Sequence, residues 1–332
     1  MTVDIVILAA GMGTRMKSAL PKVLHPVAGR PMVLEVIATA QALAAQRIVT
    51  VVGHGAEEVK RRVGMDVSDF VLQAPQLGTG HAVMQARPLL GEAPAEIVLV
   101  LYGDGPLITA ETLRHAMTTH RQRNAAVTLL SFLPDDPTGY GRIVRDGIDR
   151  VAAIVEHKDA TESQRQIRES NSGIMLFDGA WLWPALDSLS LSPQGEYYLT
   201  DLIAHAVAER QQVEAVIVDE DEVMGINDRV QLAAASALLW QRRRTRLMRS
   251  GVTLIDPQTV WLDEQVTVAP ETILHQNVIL RGETAIGTGC EIGPNSTLQN
   301  VTVADHCRVI ESRLFDCDLA EGTTIGPYEQ LG

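Results

Sequence analysis

Cysteine is scarce in this chain: three in 332 residues, Cys290, Cys307 and Cys317, with no Cys-x-x-Cys spacing. Neither a zinc site nor a disulfide framework follows from so few thiols at such intervals, and they read as packing residues. Positive charge is also lacking, since 28 Lys and Arg face 41 Asp and Glu for a formal charge of −13. That balance excludes an extended surface for nucleic acid or anionic membrane, so any phosphate recognition has to be local. No apolar run approaches the roughly 18 residues of a membrane span. Met1-Thr2-Val3-Asp4 passes straight into an apolar stretch without a cationic leader. The expectation is a soluble, cytoplasmic protein acting on small molecules. The length suits about two domains, and 46% hydrophobic residues suffice for a core in each.

What is present begins near the amino terminus. Ile5, Val6, Ile7 and Leu8 leave no polar face, which reads as a buried parallel strand over Val3 to Leu8. Ala9, Ala10, Gly11 and Gly13 follow, small enough for the backbone to approach a ligand and turn a row of N–H groups toward an anion. Arg15, Lys17 and Lys22 then supply cations. Backbone donors with nearby cations suit a triphosphate, whose charge must be compensated before a nucleophile can approach. Two commoner glycine loops are excluded by spacing. A dinucleotide fingerprint requires Gly where Met16 stands, and a Walker loop requires a Gly-Lys-Ser/Thr ending that Gly11 lacks.

Beyond this turn, strands at Ile48 to Val52, Phe70 to Leu72 and Ile97 to Leu101 alternate with helical patterns at Pro31 to Ala44, Ala56 to Val63 and His81 to Arg87. Gln73 to Gly80 reads as loop. This βαβ order implies a mostly parallel sheet covered on both faces, with ligands beyond the carboxyl ends of the strands. The glycine turn, Gln73 to Gly80 and Tyr102 to Pro106 all follow strands, so they converge on one edge. Shorter strands at Val127 to Phe132, Arg142 to Arg145, Val151 to Val155 and Gly173 to Phe177 extend the same domain. Tyr198 to Glu209 is helical in pattern and Val213 to Val218 a strand. Asp228 then caps a long helix reaching about Ser250. Its run Gln241-Arg-Arg-Arg-Thr-Arg246 reads as a basic last turn complementing the helix dipole and solvated on one face, or else as an anion or partner patch.

After Gly251 the period changes. Ile286, Ile292, Leu298, Val303, Val309, Leu314, Leu319 and Ile325 recur every five or six residues, with small or turn-forming residues between. That spacing describes a parallel β-helix in which each aliphatic points into a narrow prism, about 18 residues to a coil.

The string Leu-Ala-Ala-Gly-x-Gly-Thr-Arg-Met from Leu8, with Pro21-Lys22, resembles the signature of the sugar nucleotidyltransferases, also called sugar-nucleotide pyrophosphorylases. The later motifs are similar to the branch of that family that takes UTP and N-acetylglucosamine 1-phosphate. The likeness covers nearly the whole chain, with several separate motifs in order. With the patterns above it implies an α/β fold: a Rossmann-like, mostly parallel nucleotidyltransferase domain (1–227), a connecting helix (228–251) and a short left-handed parallel β-helix of hexapeptide repeats (252–332). In the family this β-helix is longer, forms trimers and carries an acetyltransferase site in its later coils. Those coils are absent here, so a single activity is expected, and a homotrimer through the shorter prism stays open.

The resemblance also implies a site. The nucleotide falls to Leu8, Ala9, Ala10, Gly11, Gly13 and Lys22, with Gln73, Gly78 and Thr79 as the base-reading loop. A carboxamide offers the donor and acceptor that match the imide edge of uracil. Asp104, just past a buried strand in Tyr102-Gly-Asp-Gly-Pro-Leu107, and Asn227, in Met224-Gly-Ile-Asn-Asp228, match the family's ligands for Mg²⁺, a cation that takes oxygen donors and leaves room for substrate phosphates. Here Gly105 follows the aspartate where the family usually has Val. Tyr102, Gly103, Gly141, Glu156, Asn171, Tyr198 and Thr200 fall on the sugar side, where carboxylate, amide and hydroxyl groups suit a hexosamine. Ser172 replaces the usual Thr and keeps the hydroxyl.

The implied reaction is attack by the sugar 1-phosphate on the α-phosphorus of UTP, with Arg15, Lys22 and Asp104 as the catalytic set. A phosphate monoester with a second pKa near ~6 is already largely dianionic at neutral pH, so no general base is required. Two alternatives stay open: a sister enzyme taking dTTP or another sugar phosphate, and a non-catalytic regulatory or assembly paralogue.

Overall fold

In the computed structural model, which describes residues 2–332, the chain divides into two units: the segment up to His25 with Pro31–Gln231, and Pro26–Arg30 with Leu232–Gly332. The boundary falls inside the long helix Arg229–Arg249.

The first unit is built on a nine-stranded sheet. Its main row runs Val213–Ile217, Val127–Phe132, Ser170–Asp178, Ile97–Tyr102, Val3–Ala9, Arg47–Val52, Asp69–Leu72. The hairpin of Arg142–Arg145 and Val151–Val155 joins at Ser170. Pairs along the row are parallel except the two made by Ser170–Asp178, which is antiparallel to both neighbours. Side chains alternate along Val3–Ala9, so Ile5 and Ile7 enter the core on one face and Val6 the core on the other. Helices Met32–Ala42 and Ala110–Gln122 cover the first face, and Gly78–Met84, Gly179–Leu186 and Asp201–Ala208 the second. Asp4, buried in the first strand, is met by Arg47 Nε at 3.0 Å and by the Ala95 N–H at 3.1 Å.

Register decides where the loops emerge. Leu8 lies opposite Tyr102, Ala9 opposite Val52, and Val52 opposite Leu72. The chain therefore leaves all these strands at one edge, as the βαβ order predicts. Ser170–Asp178 enters from that same edge because it runs the other way.

Three local expectations need correction. Gly78, Thr79 and Gly80 form the first turn of the helix Gly78–Met84, not part of a loop. The helix placed at Tyr198 to Glu209 is shorter, Asp201–Ala208, so Tyr198 precedes it. One set of bonds explains both: Gly80 N–H donates to Tyr197 O at 2.8 Å, Tyr197 N–H to Leu77 O at 2.8 Å, and Leu199 N–H to Thr79 Oγ1 at 3.1 Å. Gly80 lies in the first helical turn, whose N–H groups have no intrahelical partner and are free to donate to Tyr197, whereas the Tyr197–Leu199 main chain committed to this contact cannot close an α-helical ladder of its own. Third, the strand expected at Gly173 to Phe177 extends over Ser170–Asp178 and takes in Asn171.

The second unit is a prism of short parallel strands in sheets of five, five and four. Ile286, Ile292, Leu298, Val303, Val309, Leu314 and Leu319 are all buried in it, and the pattern begins earlier, at Leu254, Leu262 and Val268. Ile273 pairs with Glu291, Glu291 with Arg308 and Arg308 with Thr324, so successive turns advance 18, 17 and 16 residues. Corners absorb the five-residue steps while strand pairing persists. Cys290 and Cys307 pack in the prism interior.

The basic run of the long helix is only partly solvated: Arg246 is exposed, whereas Arg243 and Arg244 are buried. Arg243 is 2% exposed; its Nε bonds Glu264 Oε2 at 2.7 Å and its Nη1 donates to Ala28 O at 2.6 Å and Leu262 O at 3.1 Å. Arg244 Nη1 donates to Gln258 O at 3.1 Å. These guanidinium groups satisfy main-chain carbonyls of the prism's first coil and of the Pro26–Arg30 segment. Among the described residues no helix is long and apolar enough to cross a membrane.

Candidate functional site

At the edge where the parallel strands end, a cavity of about 590 Å³ opens in the first unit. Leu8, Ala9, Ala10, Gly11 and Lys22 line it from the first loop, Gln73, Gly78 and Thr79 from the second, and Tyr102 and Asp104 from the third. Glu156, Asn171, Tyr198 and Thr200 complete the opposite wall. Residues assigned to a nucleotide and residues assigned to a sugar thus share one space.

Gly13 sits at φ +62°, and a Cβ there would stand 2.5 Å from Lys22 Cβ. This glycine stays off the cavity wall and lets the lysine stem pass close behind the turn. Lys22, opening a short 3₁₀ turn, then reaches across: its ammonium donates to Asp104 Oδ2 and, at 3.1 Å, to Asn227 Oδ1. Lys22 and Asp104 are 12% and 17% exposed at their side chains, so the pair is shielded but reachable. Backbone holds the two oxygens together, since Ile226 N–H donates to Asp104 O at 2.9 Å. Asn227 does not line the cavity itself; it backs Lys22 and Asp104.

Arg15 is elsewhere. It is exposed in the 3₁₀ turn Thr14–Met16, outside the cavity wall. Gly103 and Gly141 also stand behind the lining: Gly103 N–H donates to Leu8 O at 2.9 Å, and Gly141 O accepts from Asn171 N–H at 2.8 Å. Their role is to hold the residues that do line it. Asn171 Oδ1 in turn accepts from the Gly173 N–H at 3.0 Å.

Sequence reasoning missed Met12, Val23, Gln76, Ala82 and Glu196, which also face the cavity. Gln76 donates from Nε2 to Ala10 O and so ties the second loop to the first. Its place inside Gln73-Ala-Pro-Gln76 was the available signal. Glu196 stands in Gly195-Glu-Tyr-Tyr198, the same string that carries Tyr198, and that neighbourhood was its signal.

Burial raises the Glu156 carboxyl above its ordinary value, against the pull of Lys158, while Asp159 and Asp201 add to the rise. Burial also raises the Tyr102 phenol, with Asp104 and Glu156 adding to it, so this hydroxyl stays neutral and serves as a hydrogen-bond donor. Lys158 Nζ donates to Tyr198 Oη at 2.7 Å and lies 5.1 Å from the centre of that ring. A second cavity of about 600 Å³, lined by Ile97, His120, Asp178 and Trp181, lies at the other end of the strands. Burial lowers His120 there to about 4, and its Nδ1 is 2.9 Å from Thr128 Oγ1.

The donor set at the first cavity has a defined chemistry. Asp104 and Asn227 present two oxygens to one cationic group, and no cluster of three or more His, Cys, Asp or Glu among the described residues could hold a metal. Two protein oxygens beside a cavity suit a hard divalent cation that completes its shell with water and phosphate.

Residues 5–171 match the family model of the MobA-like NTP transferase domain. Similar curated proteins include the bifunctional protein GlmU of Stutzerimonas stutzeri, 50% identical over 100% of this chain and 73% of that protein. The bifunctional protein GlmU of Enterococcus faecalis is 45% identical over 98% of this chain and 71% of its own length. That of Brevibacillus brevis is 45% identical over 97% and 70%.

Proposed function

Since the chain belongs to the family of the bifunctional GlmU proteins and is a sugar-phosphate nucleotidyltransferase, we propose that it joins UTP and N-acetylglucosamine 1-phosphate into UDP-N-acetylglucosamine and pyrophosphate. The observation that carries this reading is the single cavity in which Lys22 and Asp104 stand between the Ala9–Gly11 turn and the Glu156, Asn171 and Tyr198 wall.

Backbone N–H groups of Ala10 and Gly11 and the ammonium of Lys22 take the triphosphate, and Gln73 with the Gly78–Thr79 turn takes the base. Glu156, Asn171 and Thr200 take the sugar hydroxyls and amide, with Tyr102 as a neutral donor. Two anions that repel one another are thereby held in line, which is most of what phosphoryl-type transfer requires. The nucleophile is already ionised, so no side chain needs to remove a proton. Asp104 and Asn227 would hold Mg²⁺, which supplies charge compensation to the polyphosphate when bound. Lys22 leaves those oxygens for a phosphate oxygen when substrate enters, an exchange of one anionic partner for another.

The test is pyrophosphate release over a grid of nucleoside triphosphates and sugar 1-phosphates, with and without Mg²⁺. Release with UTP and N-acetylglucosamine 1-phosphate, dependent on the metal, is the expected result. Release only with dTTP or another sugar phosphate would replace the substrate assignment, and none with any pair would remove the activity.

A further inference from the structure

Gln73 is 4% exposed, yet it lines the cavity, and the orientation of its carboxamide is determined by its neighbours. Its Nε2 lies 3.0 Å from Gly78 O and 3.1 Å from His81 Nδ1. A carbonyl oxygen only accepts, so the atom facing Gly78 must be the amide nitrogen. Its second hydrogen then faces the histidine nitrogen. Both hydrogens are committed, and no donor among the described residues reaches Oε1. The amide therefore offers a ligand one group, an acceptor, and the donor half expected from its chemistry in isolation is already engaged.

His81 is itself held in place. It lies on the helix Gly78–Met84, its ring stacked with Tyr197 at 6.3 Å between centroids and 24° between planes. The Gln85 carboxamide nitrogen donates to the His81 carbonyl at 3.0 Å and lies 3.2 Å from Nε2; a neutral imidazole accepts at one ring nitrogen only, so with Nδ1 as the acceptor Nε2 carries the proton and its approach to Gln85 is a packing contact, not a hydrogen bond.

We propose that His81 is a positioning residue for base selection: by accepting from Gln73 through Nδ1 it keeps Gln73 Oε1 toward the ligand and so favours a base edge that carries an N–H. The proposal rests on the nucleotide reading above. Uracil presents N3–H between two carbonyls, whereas cytosine presents a bare N3, which would oppose one acceptor with another. Were the amide free to turn, its NH₂ would serve cytosine equally well. With His81 in place, turning forfeits two hydrogen bonds; without it, only the bond to Gly78 O is lost.

The test compares the full chain with His81→Phe, which keeps a ring against Tyr197 without an acceptor, and His81→Asn, whose Oδ1 stands where Nδ1 did. UDP and CDP binding by calorimetry and kcat/KM for UTP and CTP are measured in each. The UDP-to-CDP preference falls about tenfold in His81→Phe, the equivalent of one hydrogen bond, while KM for the sugar 1-phosphate stays unchanged. His81→Asn keeps most of the preference. An unchanged preference in His81→Phe, or equal loss in both variants, overturns the proposal and leaves the uridylyl reading standing. A parent chain that binds neither UDP nor CDP overturns both. His81→Leu repeats the measurement should the phenylalanine variant not fold.

Discussion

Lys22 is where the residue scale is most informative. The sequence places it near the glycine turn, but its partners Asp104 and Asn227 come from two distant segments, and nothing in the spacing announces that three-way contact. Lys22→Ala and Asp104→Ala should each lower turnover by a factor of about 10²–10³, the loss of one preorganised charge partner. Pyrophosphate release, with circular dichroism to confirm folding, checks this; near-normal turnover in both would remove them from the chemistry. Glu156 carries a different prediction. Burial raises its carboxyl, so the folded state holds that proton more tightly than the unfolded chain. The group's contribution to stability therefore falls as pH climbs from the ordinary carboxylate range through the raised value. Glu156→Gln should melt higher than the parent at neutral pH, converge with it in acid, and show a raised KM for the sugar phosphate. Melting curves that stay equally spaced at every pH would contradict this.

Elements were read best where one period ran uninterrupted. Val127–Phe132, Arg142–Arg145, Val151–Val155 and Ala56–Val63 begin and end where the pattern places them. The helix Gly179–Leu186 had no polar stripe to reveal it, being apolar almost throughout. The long helix shows what pattern alone misjudges, because a run of arginines looks solvated until carbonyls close around it. Arg243→Met should destabilise the second unit by about 2–3 kcal/mol, since the carbonyls of Ala28 and Leu262 lose their donor while the partly exposed Glu264 keeps Arg246. Arg246→Ala, at an exposed pair with the same glutamate, should cost less than about 1 kcal/mol. Chemical denaturation of both variants compares them directly, and equal costs would refute the distinction. Inside the prism, Leu280→Ala should cost about 2–5 kcal/mol for the cavity it opens.

At the scale of the whole molecule, the two faces of the sheet and the prism have separate hydrophobic cores. With the proposed nucleotide site in the first unit, UTP with Mg²⁺ at about 100 times Kd should add about 2.7 kcal/mol to that unit's unfolding and leave the prism transition in place. Scanning calorimetry reads this as one peak moving and one staying; two peaks moving together would show that the units unfold as one. Local chemistry in the sequence was enough to determine the alternation of strands and helices, the glycine turn after the first strand and the five-to-six residue period of the prism, because hydrophobic period and backbone freedom act over a few neighbours. Tertiary structure alone decided that Lys22 meets Asp104 and Asn227, that Gly78 begins a helix bonded to Tyr197, that Gln73 shows only its oxygen, and that Arg243 is buried. Each of these depends on which distant atoms desolvate a polar group and satisfy it, and that is settled only when the chain has closed on itself.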